Sequence, residues 1–505
     1  MAGKVLLVNP PFTRLRGSGQ GPYFPLGLGY LAGVLAAEGF EPLIYSAENC
    51  RPGEELPKIS MREVFDLRSQ GHKRFVAALA DDGHYVWREF RELLARERPD
   101  MVGISALSIQ YGPAARMARL VKAWRPEVPV VIGGHHFTYM PADTLNREPA
   151  FDVGVLGEGE ETLLELCRAY AQGPTPDFSR IPGLAYRTAD GVAFTERRKL
   201  IENLDALPFP RRDLVAFPES FLPVHFSTII YGRGCPWHCR FCSSQAFWGN
   251  RTRYRSGDNC LAEITQLMER YHYNDFMFWD DAFSVRRDNV TDLCHRVLER
   301  GLKFTFHTAT RVDLVDDQLI DLMQRAGCVE LYLGVESGSP AMLKAIRKDL
   351  NLDHLRRAVG LMDRHGVPVS LFFMAGFPRE TEDDLGQTFD LIREMRSARV
   401  SFNIFDPMPG SPLYDECLEL GLVSPDADWA NFPLWPDASF TTQMSPERFG
   451  VLARRMADYI FSRNESLAAQ LRRYLPELRR DPVAFAKKAL FKGPRALMRR
   501  LGGKA

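Results

Sequence analysis

The sequence predicts an α/β protein: a doubly wound N-terminal domain, then a partial barrel of parallel strands, then a mainly helical C-terminal region. Two observations predict the α/β class. Short apolar strands alternate with amphipathic helices through the first third of the 505-residue chain, and a second strand–helix series at βα spacing runs from about residue 225. A third observation sets the C-terminal boundary, because the strand pattern stops after Pro412 and helical patterns resume from Ser445.

The first series reads VLLV (5–8), a helix from about Gly27 to Glu38, EPLIY (41–45), VGISALS (102–108), a helix over 112–125, VPVVIGG (128–134) and VGVLGEG (153–159). Buried parallel strands require such near-continuous apolar runs. An insertion rich in charge separates Ser46 from Asp100, and its stretch HYVWREFRELLARERP carries a helical pattern. A hairpin-like stretch (183–200) and the linker ENLDALPFPRRD, with prolines at 208 and 210, end the region. The second series starts with HFSTIIYG (225–232) and continues with DFMFWDD (275–281), KFTFHTA (303–309), VELYLGV (329–335), VPVSLFFMAG (367–376) and SFNIFDP (401–407). Such βα units predict a barrel short of the usual eight, with its chemistry on loops after strand C-termini. The domain boundaries expected are 1–180, a linker over 181–222, 223–420 for the barrel and 421–505 for the helical region.

Composition excludes several classes. The chain is 45% hydrophobic and 25% charged, and no apolar run approaches the ~20 residues that span a bilayer. The apolar run of MAGKVLLVNPPF is too short for a secretory signal and reads as a first strand. A cytoplasmic location follows as the expectation. Lys plus Arg balance Asp plus Glu at 64 each, so no global charge points to nucleic acid. The balance is uneven along the chain, since residues 471–505 hold eleven Lys/Arg against two acids, a net +9. Mixed with Leu, Phe and Met, that charge suits peripheral contact with an anionic membrane, or equally a helix packed on the barrel with its basic face in water.

The nine cysteines are an odd number and only one set is clustered, which argues against a disulfide framework. Cys50, Cys167, Cys260, Cys294, Cys328 and Cys417 read as bystanders. Cys235, Cys239 and Cys242 stand together in YGRGCPWHCRFCSSQ, directly after the first strand of the second series. Zinc completed by His238 is the competing reading, but His238 abuts Cys239 and no second cysteine pair is present. Three cysteines on a four-iron cluster leave one iron open for a substrate or cosubstrate.

The spacing C-x3-C-x2-C, with Phe241 before the third cysteine, resembles the cluster loop of the radical S-adenosylmethionine enzymes. That resemblance implies a [4Fe–4S] cluster on Cys235, Cys239 and Cys242, with S-adenosylmethionine on the open iron and cleaved to a 5′-deoxyadenosyl radical. Later strand-end loops are similar to that family's S-adenosylmethionine contacts: Asp280 and Asp281 in WDDAF, Arg311, then Gly334, Glu336 and Ser337 in GVESGS, and Gly376 with Pro378 in GFPRET. Acids suit an ammonium and ribose hydroxyls, arginine suits a carboxylate, and glycine admits the adenine against the backbone.

The N-terminal domain has no G-x-G-x-x-G and no phosphate-cradling G-x-x-x-x-G-K-[ST] after a strand. Instead Ser105-Ala106-Leu107 closes one strand and Gly133-Gly134 closes the next. That pairing resembles the S-x-L and GG elements of Rossmann-like cobalamin-binding domains, where the corrin's tail threads into the sheet, with His135 and His136 beside it. The D-x-H-x-x-G loop is missing: Tyr45 onward reads YSAENCRPG, and Asp82-Gly83-His84 follows no strand. The resemblance therefore supplies no histidine to cobalt from that loop. GEGEE (157–161) reads as a charged helix start.

Over most of its length the chain resembles the cobalamin-dependent radical S-adenosylmethionine enzymes. The resemblance implies methyl transfer from methylcobalamin to an unactivated carbon or phosphorus of a small-molecule or lipid substrate. It also implies a reducing partner such as flavodoxin or ferredoxin and no nucleic acid. Ring formation or rearrangement of the anaerobic magnesium-protoporphyrin cyclase type is the alternative chemistry, and a non-catalytic corrinoid carrier or sensor is the alternative of another class.

Overall fold

The computed structural model describes residues 3–17, 23–54, 64–431, 439–466 and 469. The basic stretch 471–505 lies outside them. The chain divides into two compact units, Met1–Asn274 with Asp406–Phe440, and Asp275–Phe405 with Thr441–Ala505.

The first unit is built on a seven-stranded sheet. Its strands are β1 (Lys4–Asn9), β2 (Glu41–Ser46), β3 (Met101–Ser105), β4 (Val130–Gly133), β5 (Val153–Val155), β6 (Leu184–Thr188) and β7 (Gly191–Phe194). They lie in the order β2-β1-β3-β4-β5-β6-β7. The first five pair in parallel, and β6 and β7 are antiparallel. The order reverses at β1, so the loops after β1 and β3 diverge and leave the crevice where such sheets take ligands. In the core of this unit Val5, Leu7, Val131 and Val153 pack with Leu28, Leu35 and Leu166 of the covering helices. The hairpin expected over 183–200 thus extends the sheet rather than hanging from it.

The helix Leu26–Ala37 has glycines at 29 and 33 for a physical reason. A Cβ on Gly29 would fall 2.6 Å from the Phe24 ring, and one on Gly33 would fall 2.9 Å from the Phe209 carbonyl oxygen. The proline linker therefore lies flat on this helix. It continues along β2, where Ile44 N–H donates to Leu214 O (2.7 Å) and Ala216 N–H donates to Ile44 O (2.8 Å). The helix expected in the insertion is Tyr85–Glu97, with His84 at its N-cap. A second insertion helix, Val64–Ala80, was not foreseen, because its polar and apolar residues do not separate into a clear stripe.

The strand expected over 225–232 is broken. A 3-10 turn (Pro223–Phe226) precedes β8 (Thr228–Ile229) and β9 (Gly232–Arg233), and β9 pairs antiparallel with β10 (Arg253–Tyr254). These elements belong to the first unit and bracket the cysteine loop.

The second unit holds five parallel strands, β11 (Asp275–Phe278), β12 (Thr305–Thr310), β13 (Cys328–Glu336), β14 (Val369–Ala375) and β15 (Arg399–Ile404), adjacent in chain order. Alternation divides the sheet. Phe276, Phe278, Phe306, Leu331, Leu333, Leu371 and Phe373 are buried, with Phe278 and Phe306 edge to face at 5.4 Å. Side chains do the capping that the helices need: Asp316 accepts from Leu319 N–H, Ser339 from Met342 N–H, and Thr381 forms a capping box with Asp384. The helix Pro446–Asn464 closes the edge strand, because Asn464 exchanges hydrogen bonds with Val400 N–H (3.3 Å) and O (2.7 Å).

The other face of this sheet carries a polar cluster near the strand starts. His307 Nε2 lies 3.0 Å from Asp275 Oδ1, and His307 Nδ1 lies 3.5 Å from Glu330 Oε2. Thr305 Oγ1 donates to Asp275 (2.6 Å) and Ser370 Oγ to Glu330 (2.7 Å). Burial opposes the charge on His307, but Asp275 and Glu330 overcome it and hold the imidazole at a pKa of about 9. The folded value lies above the ordinary 6.5, so the stabilisation is complete below pH 6.5 and is lost as pH rises through about 9. His307→Gln is expected to flatten the fall in unfolding free energy across that window, by on the order of 3 kcal/mol at most. An unchanged pH profile in chemical denaturation would contradict the arrangement.

Candidate functional site: corrin loops and a three-cysteine loop

In the first unit the S-x-L and GG elements close adjacent strands, with Ser105 opposite Gly133 in register. Ala106 N–H donates to Gly133 O (3.0 Å), and His136 N–H donates to Ala106 O (3.1 Å). Gly134 has φ +90°, and a Cβ there would lie 2.8 Å from Ala106 N, Ala106 O and Ser105 Oγ. Only glycine fits without moving the loop. Gly133 is different, since its Cβ would meet nothing nearer than Val155 O at 3.7 Å. Leu107 is 43% exposed, and its N–H is held by Gln110 Oε1 (3.1 Å). Gln110 in turn donates to Asn9 Oδ1 (3.1 Å) and Pro10 O (2.7 Å), which ties this loop to the end of β1.

The two histidines after Gly134 separate. His135 is exposed and stacks on Phe247 at 4.6 Å. His136 is fully buried, its Nδ1 3.1 Å from Ser108 Oγ, with Tyr111 at 4.7 Å and Trp429 at 5.8 Å between ring centroids. Burial pushes its pKa down to about 3, so the ring is neutral. Its Nε2 has no hydrogen-bond partner among the described residues. An orphaned polar atom beside the S-x-L and GG loops, and a backbone that only glycine fits, match a corrin with a polar tail.

Where a D-x-H-x-x-G loop would lie, the chain places Glu48. Its buried carboxylate accepts from Phe12 N–H (2.6 Å), Thr13 N–H (3.0 Å) and Thr13 Oγ1 (2.6 Å). This loop holds the turn after β1 and offers no imidazole.

The three cysteines are half-buried and free of disulfides. Cys242 N–H donates to Cys239 O (3.1 Å), and Ser244 N–H points at Cys242 Sγ (3.4 Å), a donor suited to a cluster thiolate. No group of three or more His, Cys, Asp or Glu among the described residues converges on a single ion position. His238, between Cys235 and Cys239, is exposed. Phe241 is half-buried within it. Arg240 O accepts from Leu413 N–H (2.9 Å), and the Arg240 guanidinium pairs with Glu416 (2.7 Å). Gly234, directly before Cys235, has φ +97°, and a Cβ there would sit 2.1 Å from Arg251 O.

In the second unit the expected S-adenosylmethionine contacts lie on loops at strand C-termini. Asp280 is buried and Asp281 exposed after β11. Arg311, after β12, is buried and donates to Asp313 Oδ1 (2.9 Å) and Lys348 O (3.0 Å). Glu336 ends β13 at φ +70°, and its carboxylate takes Lys348 Nζ at 2.8 Å. A Cβ on Gly334 would meet that ion pair, at 2.6 Å from Glu336 Oε1 and 2.8 Å from Lys348 Nζ. Arg311, Glu336 and Lys348 therefore form one buried group beside Gly334. Ser337 lies against Thr388 (Oγ to Oγ1, 3.1 Å). Gly376, at φ +93°, donates its N–H to the buried Glu380 (2.5 Å), whose carboxyl burial raises to about 8.

Lys348, Glu380 and the His307 cluster were not singled out in sequence. Lys348 and Glu380 lie within ordinary charged turns, whereas Asp275, His307 and Glu330 do leave a signal as ionisable residues inside otherwise apolar strands.

Residues 15–167 match the B12 binding domain and residues 229–392 match the Radical SAM superfamily. With the two sets of loops just described, they define the class: this chain joins a B12 binding domain to a Radical SAM domain. Its cofactors are a [4Fe–4S] cluster, S-adenosylmethionine and cobalamin. Among its relatives are an uncharacterised methyltransferase of Pyrococcus horikoshii, 29% identical over 83% of this chain and 84% of that one, and the cytidylyl-2-hydroxyethylphosphonate methyltransferase of Streptomyces wedmorensis, 28% identical over 84% and 83%. The anaerobic magnesium-protoporphyrin IX monomethyl ester cyclase of Rubrivivax gelatinosus is 27% identical over 82% of this chain and 70% of its own. The fold is similar to that of the radical S-adenosylmethionine methyltransferase TsrM of Kitasatospora setae, with a TM-score of 0.66, 19% identity, and coverage of 85% of this chain and 79% of that one.

The glycines allow a discriminating test. Gly134→Val is expected to lower the melting temperature and abolish hydroxocobalamin binding. Gly133→Val is expected to abolish binding with a smaller loss of stability, because the free backbone has room at that Cβ. Wild-type affinity in Gly133→Val would show that the ligand does not pass there.

Proposed function

We propose that the protein transfers a methyl group from its corrin to a carbon or phosphorus centre that is not nucleophilic, in a small-molecule or lipid substrate. The observation that carries this reading is the presence, in one compact unit, of both the corrin loops and the three-cysteine loop. When bound, the cluster with S-adenosylmethionine supplies a 5′-deoxyadenosyl radical and the corrin supplies the methyl group. A radical generator alone needs no corrin, and a polar methyltransferase needs no radical.

The chain's own part is to bind and orient. Cys235, Cys239 and Cys242 hold the cluster and leave an iron open. Phe241, Asp280, Asp281, Arg311, Gly334, Glu336, Ser337 and Gly376 hold S-adenosylmethionine. Within that set Arg311 and Glu336 act through the buried group with Lys348, which fixes the loop shape. Ser105, Leu107, Gly133, Gly134 and His135 border the corrin's tail. The location is cytoplasmic, with electrons delivered by a flavodoxin- or ferredoxin-type partner, and residues 471–505 supply any peripheral membrane contact. No described helix is long and apolar enough to cross a membrane.

Ring closure is the second reading, favoured by the likeness to the magnesium-protoporphyrin cyclase over 82% of this chain. Holoenzyme incubated anaerobically with reductant, methyl-labelled S-adenosylmethionine and a small-molecule extract of the producing cells separates the two. Methyl transfer predicts label in a product, with S-adenosylhomocysteine and 5′-deoxyadenosine both accumulating. A product formed with 5′-deoxyadenosine but without label leaves the cyclase reading standing.

A further inference from the structure

The loop GEGEE has a role that its sequence does not suggest. Glu158 Oε1 accepts from Arg233 Nη1 (2.6 Å), and Glu158 Oε2 accepts from Arg253 Nη1 (2.8 Å) and from Ile201 N–H (2.9 Å). Glu160 Oε1 takes the other arm of Arg233, Nη2, at 2.7 Å. All four side chains are buried. Although burial disfavours its charge, the arginines hold the Glu158 carboxyl below its ordinary pKa, and the glutamates raise Arg233 in turn.

We propose that Glu158, Glu160, Arg233 and Arg253 form a positioning clamp that fixes the cysteine loop on the corrin-binding sheet and so sets the magnetic and chemical coupling between the two cofactors. The proposal rests on the reading that both cofactors bind this unit. Its two ends are functional segments. Glu158 follows β5, which pairs with β4, the strand that ends at Gly133 and leads into Gly134. Arg233 stands opposite Arg253 in the β9–β10 ribbon and is separated from Cys235 only by Gly234, whose backbone is wedged against Arg251 O.

A second fastening holds the far side of the loop. Tyr139 OH donates to Ser243 O (2.9 Å), and His135 stacks on Phe247 at 4.6 Å and 26°. The corrin-binding sheet thus grips the chain before Cys235 through the loop after β5 and after Cys242 through the loop after β4. Buried ion pairs are weak evidence for stability, since desolvation offsets much of their attraction, and their best-attested use is to specify one geometry. Arg253 fits that use, because its Nε and Nη2 are buried without partners among the described residues, a state that packing for stability alone would not favour.

The test uses full-length protein loaded with cluster and cob(II)alamin. Glu158→Gln keeps the side chain's volume and removes the charge that both arginines share. Iron, sulfide and cobalt contents are expected to stay at wild-type levels. The relaxation enhancement of the cob(II)alamin paramagnetic resonance signal by the reduced cluster is expected to weaken or broaden. The ratio of 5′-deoxyadenosine to S-adenosylhomocysteine, formed from S-adenosylmethionine and dithionite, should rise severalfold. Retained cofactors with unchanged relaxation and an unchanged ratio would overturn the clamp. If Glu158→Gln fails to fold, Tyr139→Phe deletes a single hydrogen bond of the same device, and the same two readouts decide. Wild-type protein that takes up cluster but no cobalt overturns the functional reading itself, and the clamp's role with it.

Discussion

Buried pairing of carboxylates with guanidinium groups around the β9–β10 ribbon is the constraint on which the first unit depends. Besides the glutamates of GEGEE, Glu263 takes Arg212 at 2.7 Å and also Arg255. Its side chain is fully buried. Arg212 comes from the proline linker, Arg255 directly follows the ribbon, and Tyr30 of the helix Leu26–Ala37 lies beside Arg233, 5.0 Å from guanidinium carbon to ring centre. Removing one member would leave an uncompensated charge in the interior. The corrin-binding sheet, the linker and the root of the cysteine loop are consequently one body and not beads on a string.

Glycine backbone supplies the second constraint. At Gly134 and Gly234 a side chain would collide with main-chain atoms, so the corrin loop and the cysteine loop each have a root that only glycine permits. In the second unit the restriction is electrostatic. Gly334 leaves room for the Glu336–Lys348 pair, and Lys348 O holds Arg311. Loops whose residues are locked by packing and hydrogen bonds lose little entropy when a ligand binds, which is the condition for orienting a reactive fragment.

Much of this was legible in the sequence, and the limits are physical. The apolar runs of β1, β3 and β4 announce parallel strands because both faces must be buried, and β11 to β15 are legible from their spacing between amphipathic helices. The cysteine spacing is local, so it is readable without tertiary knowledge. β8 and β9 were read as one strand since HFSTIIYG is rich in β-branched and aromatic residues, whereas its first two residues lie in the turn Pro223–Phe226 before pairing begins. The role of GEGEE was invisible for another reason. Glu158 and Arg253 are 95 residues apart, and nothing local distinguishes a carboxylate that caps a helix from one that meets two distant arginines. Lys348 shares that difficulty, because its pairing with Glu336 joins a turn to a strand end and leaves no periodic mark.

The central claim is that one unit of this chain holds a corrin and a three-cysteine cluster independently ligated but mechanically joined. Metal and sulfide analysis after anaerobic reconstitution with iron, sulfide and hydroxocobalamin tests it most directly, on wild type and Cys235→Ala. The account predicts that wild-type protein carries roughly four irons and four sulfides together with stoichiometric cobalt, and that Cys235→Ala loses iron and sulfide while keeping cobalt. Stoichiometric zinc without sulfide, or no retained cobalt in either protein, would contradict it.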